Sequence, residues 1–291
     1  MISETDVRRH EAAGAVMSNK DFCRLSEFIY LECGIKMSSA KKIMLEARLR
    51  KRLRMLGVKT YGEYCDYLFS PTGIDNELIH MIDLVTTNKT DFYREPAHFD
   101  YLVKQALPEL THAGDAGIRR PLMVWSAGCS TGEEPYTLAM VLGEFAESVH
   151  ICQYMILATD ISTRVLDVAK LGIYNEEKVS PVPAALKKKY LLRGKDRKRG
   201  LVRIIPELRV RVKFRRLNFM EEDFGMREPM DIIFCRNVII YFDRKTQENL
   251  IRRFCKHLRT GGYLLMGHSE TLFGMDVPLK QVAPTIYRRT K

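Results

Sequence analysis

No apolar run in the chain approaches the ~18–20 residues that a membrane span needs. Residues 1–20 are studded with Glu, Asp, Arg and His and lack the apolar stretch of a signal peptide. A soluble cytoplasmic protein without membrane insertion is therefore expected. The seven cysteines (Cys23, Cys33, Cys65, Cys129, Cys152, Cys235, Cys255) are odd in number and form no C-x-x-C, so neither a zinc ribbon nor a disulfide framework is suggested. Histidines and cysteines nowhere cluster at ligand spacing, so no metal is expected. Acidic residues are comparatively few: 36 Asp and Glu against 47 Lys and Arg give a formal +11, which favours a polyanionic partner. What remains is ordinary globular material, 46% hydrophobic and 29% charged; 291 residues suffice for two domains.

Residues 21–87 show helical spacing throughout, with Gly34 and Gly57 where helices commonly stop, and predict a small all-α domain. The helix at 41–56 places Leu45, Leu49, Leu53 and Leu56 on one stripe, with Lys41, Arg48, Arg50, Lys51, Arg52 and Arg54 around the rest. Two readings stay open, a solvated surface and a cationic docking face; Glu46 is the lone acid between Lys41 and Arg54. Residues 88–120 read as a linker with a connecting helix.

From 121 to 291 short apolar strands alternate with amphipathic helices, the pattern of a doubly wound α/β sheet. Strands are expected at 122–126, 154–159, 231–235, 262–266 and 285–289, and helices at 133–147, 163–170 and 244–258. Residues 171–216 break the rhythm and predict an inserted antiparallel β-subdomain, with strands at 201–205 and 210–214. Fourteen Lys or Arg against two acids in 187–216 suggest a second cationic surface, or an edge protected by charge.

The first strand runs into a small-residue loop containing Gly128 and Gly132 that opens onto a helix, a place where a nucleotide-like ligand approaches backbone. Neither G-x-G-x-x-G nor G-K-[S/T] is present, and Glu133 and Glu134 occupy the helix start where a phosphate would sit. The expected cofactor lacks phosphate and is cationic. Asp160, ending the second strand, suits a ribose or a helix N-cap, and both readings stand on its position alone. S-adenosylmethionine fits these features better than NAD.

Four motifs, TNKTDFYRE at 87–95, WSAGCSTGEEPY at 125–136, FCRNVIIYF at 234–242 and GHSE at 267–270, together resemble the CheR-type chemotaxis receptor methyltransferases over residues 20–290. The resemblance implies a class I methyltransferase-like (Rossmann-like) domain carrying a small β insertion, behind an all-α domain. It further implies methyl transfer from S-adenosylmethionine to glutamate side chains on the cytoplasmic helices of chemoreceptors. The products are glutamate methyl esters and S-adenosylhomocysteine, serving sensory adaptation in bacteria.

By resemblance, Asn88, Thr90 and Arg94 contact the cofactor from the interdomain segment, Glu134 and Asp160 are its acidic contacts, Asn218 and Phe219 lie near the adenine, and Arg236 with Asn237 form a further pair. The neighbouring Glu133 leaves a one-residue ambiguity at Glu134. A glutamate is already ionised at neutral pH, with a reference pKa near ~4.3, so its methylation needs alignment and no general base. Arg94 and Tyr241 are the expected catalytic residues, both as positioners of the carboxylate. Lys41, Arg48, Arg50, Lys51 and Arg54 are the expected receptor-binding cations. In some members of the family the β insertion holds a receptor C-terminal tether peptide; here the cationic loop 194–200 replaces their more Gly-rich sequence and weighs against that. The rival reading is an RNA or DNA methyltransferase. Cys235-Arg236-Asn237-Val238 stands where base-amino methyltransferases carry an Asn/Asp-Pro-Pro-aromatic turn, and few aromatics accompany the basic stretch, so no nucleic-acid partner is expected. A monomer is expected.

Overall fold

The computed structural model describes residues 15–114, 116–149, 153–196 and 199–290. The chain divides into two compact units, Met1–Thr87 and Asn88–Lys291. Among the described residues no helix is long and apolar enough to cross a membrane.

The first unit is helical: α1 (Asn19–Cys33), α2 (Lys42–Leu56), α3 (Tyr61–Leu68), α4 (Pro71–Asn76) and α5 (Leu78–Val85). Side-chain oxygens of Ser18, Thr60 and Ser70 accept the first free N–H groups of α1, α3 and α4. Gly34 and Gly57 end α1 and α2 at φ 71° and 68°, a left-handed turn that glycine adopts without penalty. Ser18 caps α1, and Met17 before it is buried. The rest of the predicted tail, residues 1–14, lies outside the described residues.

Leu45, Leu49 and Leu53 form the buried stripe of α2, with Leu56 half-buried. The cations around it are less uniform than the sequence suggests. Arg52 grips the fully buried Glu77 through Nε (2.8 Å) and Nη2 (2.6 Å), and Tyr64 donates to the same carboxylate. Arg48 donates to the carbonyls of Val85 and Thr86 at the end of α5, and Arg50 pairs with Glu46 at 2.7 Å. Within the expected receptor-binding set, Arg48 is held by carbonyls of its own domain, Arg50 is paired with Glu46 and Lys41 is half-buried, whereas Lys51 and Arg54 are exposed. Helical periodicity places charges around a helix but not the buried acid or open carbonyls that claim them.

The second unit opens with α6 (Pro96–Tyr101), a π turn (Leu102–Ala106) and α7 (Leu107–Gly114). The α/β alternation follows as β1 (Leu122–Ala127), α8 (Glu133–Ser148), β2 (Tyr154–Asp160) and α9 (Thr163–Leu171), then the insertion β3 (Ile173–Asn175), α10 (Ala184–Tyr190), β4 (Leu191–Arg193), β5 (Leu201–Ile204) and α11 (Pro206–Arg209). It resumes with β6 (Val212–Arg216), β7 (Met230–Cys235), α12 (Arg244–His257), β8 (Leu258–Met266), β9 (Leu279–Ala283) and β10 (Ile286–Arg289). The main sheet has the order β6-β2-β1-β7-β8-β10-β9, parallel through β8 and antiparallel at its last two strands.

Both faces of this sheet are covered, and the period-2 alternation of side chains divides its core in two. Leu122, Val124, Ile232 and Phe234 pack against Leu138 and Leu142 of α8 on one face. Trp125, Ala127, Ile233 and Cys235 pack with Leu250 and Phe254 of α12 on the other.

The insertion requires a correction. Residues 212–216 do not join it but form the edge of the main sheet, with Ile156 opposite Val212 and Asp160 opposite Arg216. The small antiparallel sheet is β3-β5-β4 instead. Alternating Val, Phe and Arg specify a strand with one covered face, and this pattern is the same for either sheet. The three-residue strands β3 and β4 are too short to register a period.

Candidate active site at the carboxyl edge of the sheet

Three strand ends of the second unit build the site. After β1 the chain turns through Gly128 (φ 87°), Ser130 (φ 48°) and Gly132 (φ 96°) into α8. A Cβ on Gly128 would lie 2.4 Å from Val238 Cγ2, so only glycine permits this approach of the two turns. Asp160, ending β2, accepts from the Ser130 N–H at 2.8 Å and the Ser162 N–H at 3.0 Å. The N-cap reading of Asp160 is corrected: Ser162 caps α9, and Asp160 braces the β1–α8 loop.

Glu134 is buried in the first turn of α8, accepting from Ser126 Oγ and Arg236 Nε, each at 2.7 Å. Glu133 faces differently: Thr131 Oγ1 donates to it at 2.6 Å and Lys178 Nζ lies 3.8 Å away. Burial pushes the Glu133 carboxyl above its ordinary value. Two buried acids at a helix N-terminus repel an anion and suit a cationic ligand.

Arg236 follows β7 and ties this edge together. Besides Glu134 it donates through Nη1 to the Arg94 carbonyl and lies 3.3 Å from His98 Nδ1 and 3.6 Å from Glu95 Oε2. Its guanidinium sits over the Phe99 and Phe234 rings. The segment it anchors is strained, with Tyr93 and Glu95 at φ 53° and 57°. Ser130 Oγ donates to the Asn88 carbonyl, and Lys178 Nζ to the Thr90 carbonyl and Asp91. Asn88, Thr90 and Arg94 are therefore fixed by their backbone beside the loop, and the Arg94 side chain reaches back to the Lys89 carbonyl.

Asn237 (φ 60°) lies next to Arg236, and its buried Oδ1 has no hydrogen-bond partner in the described structure. Tyr241 closes the 3-10 turn Ile239–Tyr241 that follows. Asn218 and Phe219 come after β6, where the Leu217 N–H donates to the Asp160 carbonyl. The Asn218 side chain accepts from the Met220 N–H, while the Phe219 ring is packed edge-on against Trp125 and Phe254 in the core. Phe219 thus serves the core with its ring and borders the site through its position in the chain.

The fold also groups residues that sequence reasoning passed over. Glu95, His98 and His268 bring potential ligand atoms within 4.8 Å of one another, a grouping that their separation along the chain conceals. The positive charge beside Glu95 and His98 is the Arg236 guanidinium, which any metal there would have to displace. Burial and that guanidinium push His98 down to about 4, so it is a neutral acceptor at ordinary pH. Ser126, Ser130 and Lys178 gave no separate signal, whereas Glu270 lay within the GHSE motif without a role. Cys129 and Cys235 are buried beside the site, and burial pushes both thiols well above their ordinary value.

The donor set fits S-adenosylmethionine: glycine turns for close approach, acids for a cationic ligand, Asp160 at the second strand and an open acceptor at Asn237. Residues 88–288 match the family "CheR methyltransferase, SAM binding domain", and residues 20–86 match "CheR methyltransferase, all-alpha domain". The chain is 41% identical to a chemotaxis protein methyltransferase of Borreliella burgdorferi over 94% of this chain and 95% of that one. It is 38% identical to chemotaxis protein methyltransferase 2 of Pseudomonas aeruginosa over 93% of both, and 36% identical to the Escherichia coli chemotaxis protein methyltransferase over 94% and 92%. The chain therefore belongs to the CheR family of S-adenosylmethionine-dependent methyltransferases.

Proposed function

We propose that the chain methylates glutamate carboxylates on the helical cytoplasmic region of chemoreceptors, acting in the cytoplasm as a monomer. The observation that carries this reading is the acid-lined strand edge at Glu133, Glu134 and Asp160, in a chain whose relatives are named chemotaxis protein methyltransferases. Asp160 would hold the ribose of the cofactor, Asn237 and Glu134 with Arg236 its remaining polar groups, and the Asn88–Arg94 segment would cover it, with Asn218 and Phe219 towards the adenine. When bound, the sulfonium supplies an electrophilic methyl group.

The chain's own contribution is alignment. A receptor glutamate arrives ionised, so no residue has to take its proton. His98, neutral and turned to Arg236, is not placed to act as a base. Arg94 and Tyr241 would orient the carboxylate, and holding reactants in register removes as much as ~7–11 kcal/mol of barrier in intramolecular systems. Lys51 and Arg54, exposed on α2, would steer the acidic receptor helices. The edges of the β3-β5-β4 sheet offer backbone for an added strand, the form in which a tether peptide would bind.

The test is transfer from methyl-labelled S-adenosylmethionine to receptor-containing membranes and, in parallel, to RNA. Alkali-labile label in the receptor is the expected result. Alkali-stable label, or label in the RNA, overturns the reading.

A further inference from the structure

The turn that follows β7 carries Asn237, Val238 and Tyr241, yet its backbone N–H groups make no ladder or helix bonds at the start. They converge instead on one side chain. Glu270 Oε2 accepts from the N–H groups of Asn237 (2.8 Å) and Gly267 (2.7 Å), and Oε1 from those of Val238 (2.8 Å) and Ile239 (2.9 Å). The residue is 4% exposed. A carboxylate is withdrawn from water at this cost only where its lone pairs are satisfied, and four backbone donors do so here.

The grip is also geometrically tight. A Cβ on Gly267 would lie 2.6 Å from Asn237 Nδ2 and 2.9 Å from Glu270 Oε2, so the two turns meet without room for a side chain between them. From the opposite side, Gln247 Nε2 of α12 donates to the carbonyls of Ile239 (2.8 Å) and Phe242 (3.1 Å). The turn is thus held by its donors on Glu270 and by its acceptors on Gln247. It has two outputs: Val238, which abuts Gly128 of the β1–α8 loop, and Tyr241 at the end of the 3-10 turn.

We propose that Glu270 is a positioning residue for methyl transfer: its clamp on the Asn237–Ile239 backbone sets the placement of Tyr241 relative to the glycine loop. It touches neither reactant and acts through the turn. The inference rests on the proposed methyltransferase reading of this edge. A residue that only stabilised the fold would lower the melting temperature and leave the turnover of folded enzyme intact.

The experiment compares Glu270→Gln and Gln247→Met with wild type in receptor methylation, cofactor calorimetry and thermal melting. In Glu270→Gln an amide N–H faces backbone donors that a carboxylate oxygen had accepted. We expect kcat to fall at least tenfold at saturating cofactor, and Kd for S-adenosylhomocysteine to change less than threefold. Glu270→Asp, which restores the charge with a shorter reach, should recover part of kcat. Gln247→Met loosens the same turn from its other side, remains measurable if Glu270→Gln does not fold, and should lower kcat several-fold. Wild-type kcat in a folded Glu270→Gln or, failing that, in Gln247→Met overturns the proposal, as does a loss confined to cofactor affinity. Failure of the methyltransferase reading itself would already be visible in wild type, as absent cofactor binding or absent label transfer.

Discussion

Two arginine–glutamate pairs, each with a buried carboxylate, differ between the two units. In the helical unit, Arg52 and Tyr64 satisfy Glu77 in a set in which every partner belongs to the same unit. In the α/β unit, Arg236 satisfies Glu134 but is shared with the Arg94 carbonyl, His98 and Glu95, and the surrounding network leaves Glu95 Oε2 and Asn237 Oδ1 without hydrogen bonds. Under the proposed reading, the closed pair serves packing and the open one serves the cofactor.

The strongest way to break this contrast is to remove each arginine. Arg52→Met and Arg236→Met should each cost about 3–5 kcal/mol in chemical denaturation, because each leaves a buried carboxylate exposed to an unpaired desolvation cost. Calorimetry at a temperature where both variants are folded should show cofactor affinity intact in Arg52→Met and lost in Arg236→Met. Pairing Arg52→Met with Glu77→Leu should return most of the stability, whereas pairing Arg236→Met with Glu134→Leu should return stability without activity. Equal loss of affinity in both single variants would erase the distinction.

A smaller effect comes from pH. His98 is held neutral with its folded value near 4 against an ordinary value of 6.5, so between these limits the unfolded chain binds more protons and stability falls as pH drops. The loss attributable to His98 amounts to about 3 kcal/mol by pH 4. His98→Asn keeps an acceptor near Nδ1, removes the titration, and should flatten the stability curve between pH 6.5 and 4; an unaltered slope would show that His98 does not set it.

The smallest structural effect is expected where no acid is buried at all. Lys51→Glu with Arg54→Glu should change stability by no more than about 0.5 kcal/mol, yet lower receptor methylation several-fold at low ionic strength and reduce its salt dependence. Arg48→Glu, by contrast, should melt earlier, since Arg48 holds the end of α5.

How far the sequence could be read follows from the range of each signal. Periodicity located α2, α8, β1, β2 and β7 because it is local, and Gly34 and Gly57 marked helix ends through conformations that other residues resist. It assigned residues 212–216 to the wrong sheet because alternation carries no information about the pairing strand. At the site, the motif positions 88–94, 134, 160 and 236–237 were legible, and the fold gathers them at one strand edge. The partners that hold them were not: His98 and Arg236 are 138 positions apart, and Asn237 and Glu270 are 33 apart. Nor could charge patterning separate Lys51 and Arg54 from Arg48, whose acceptors are carbonyls that every sequence possesses.

The burial of Cys129 and Cys235 has a practical corollary. Thiols that are sealed from solvent and hard to ionise are poor targets for alkylating agents, whereas Cys23 on α1 lies open. Among the described cysteines, a maleimide dye would find that outer sulfur and spare the two beside the strand edge, so the native chain already carries an attachment point for following receptor encounters by fluorescence.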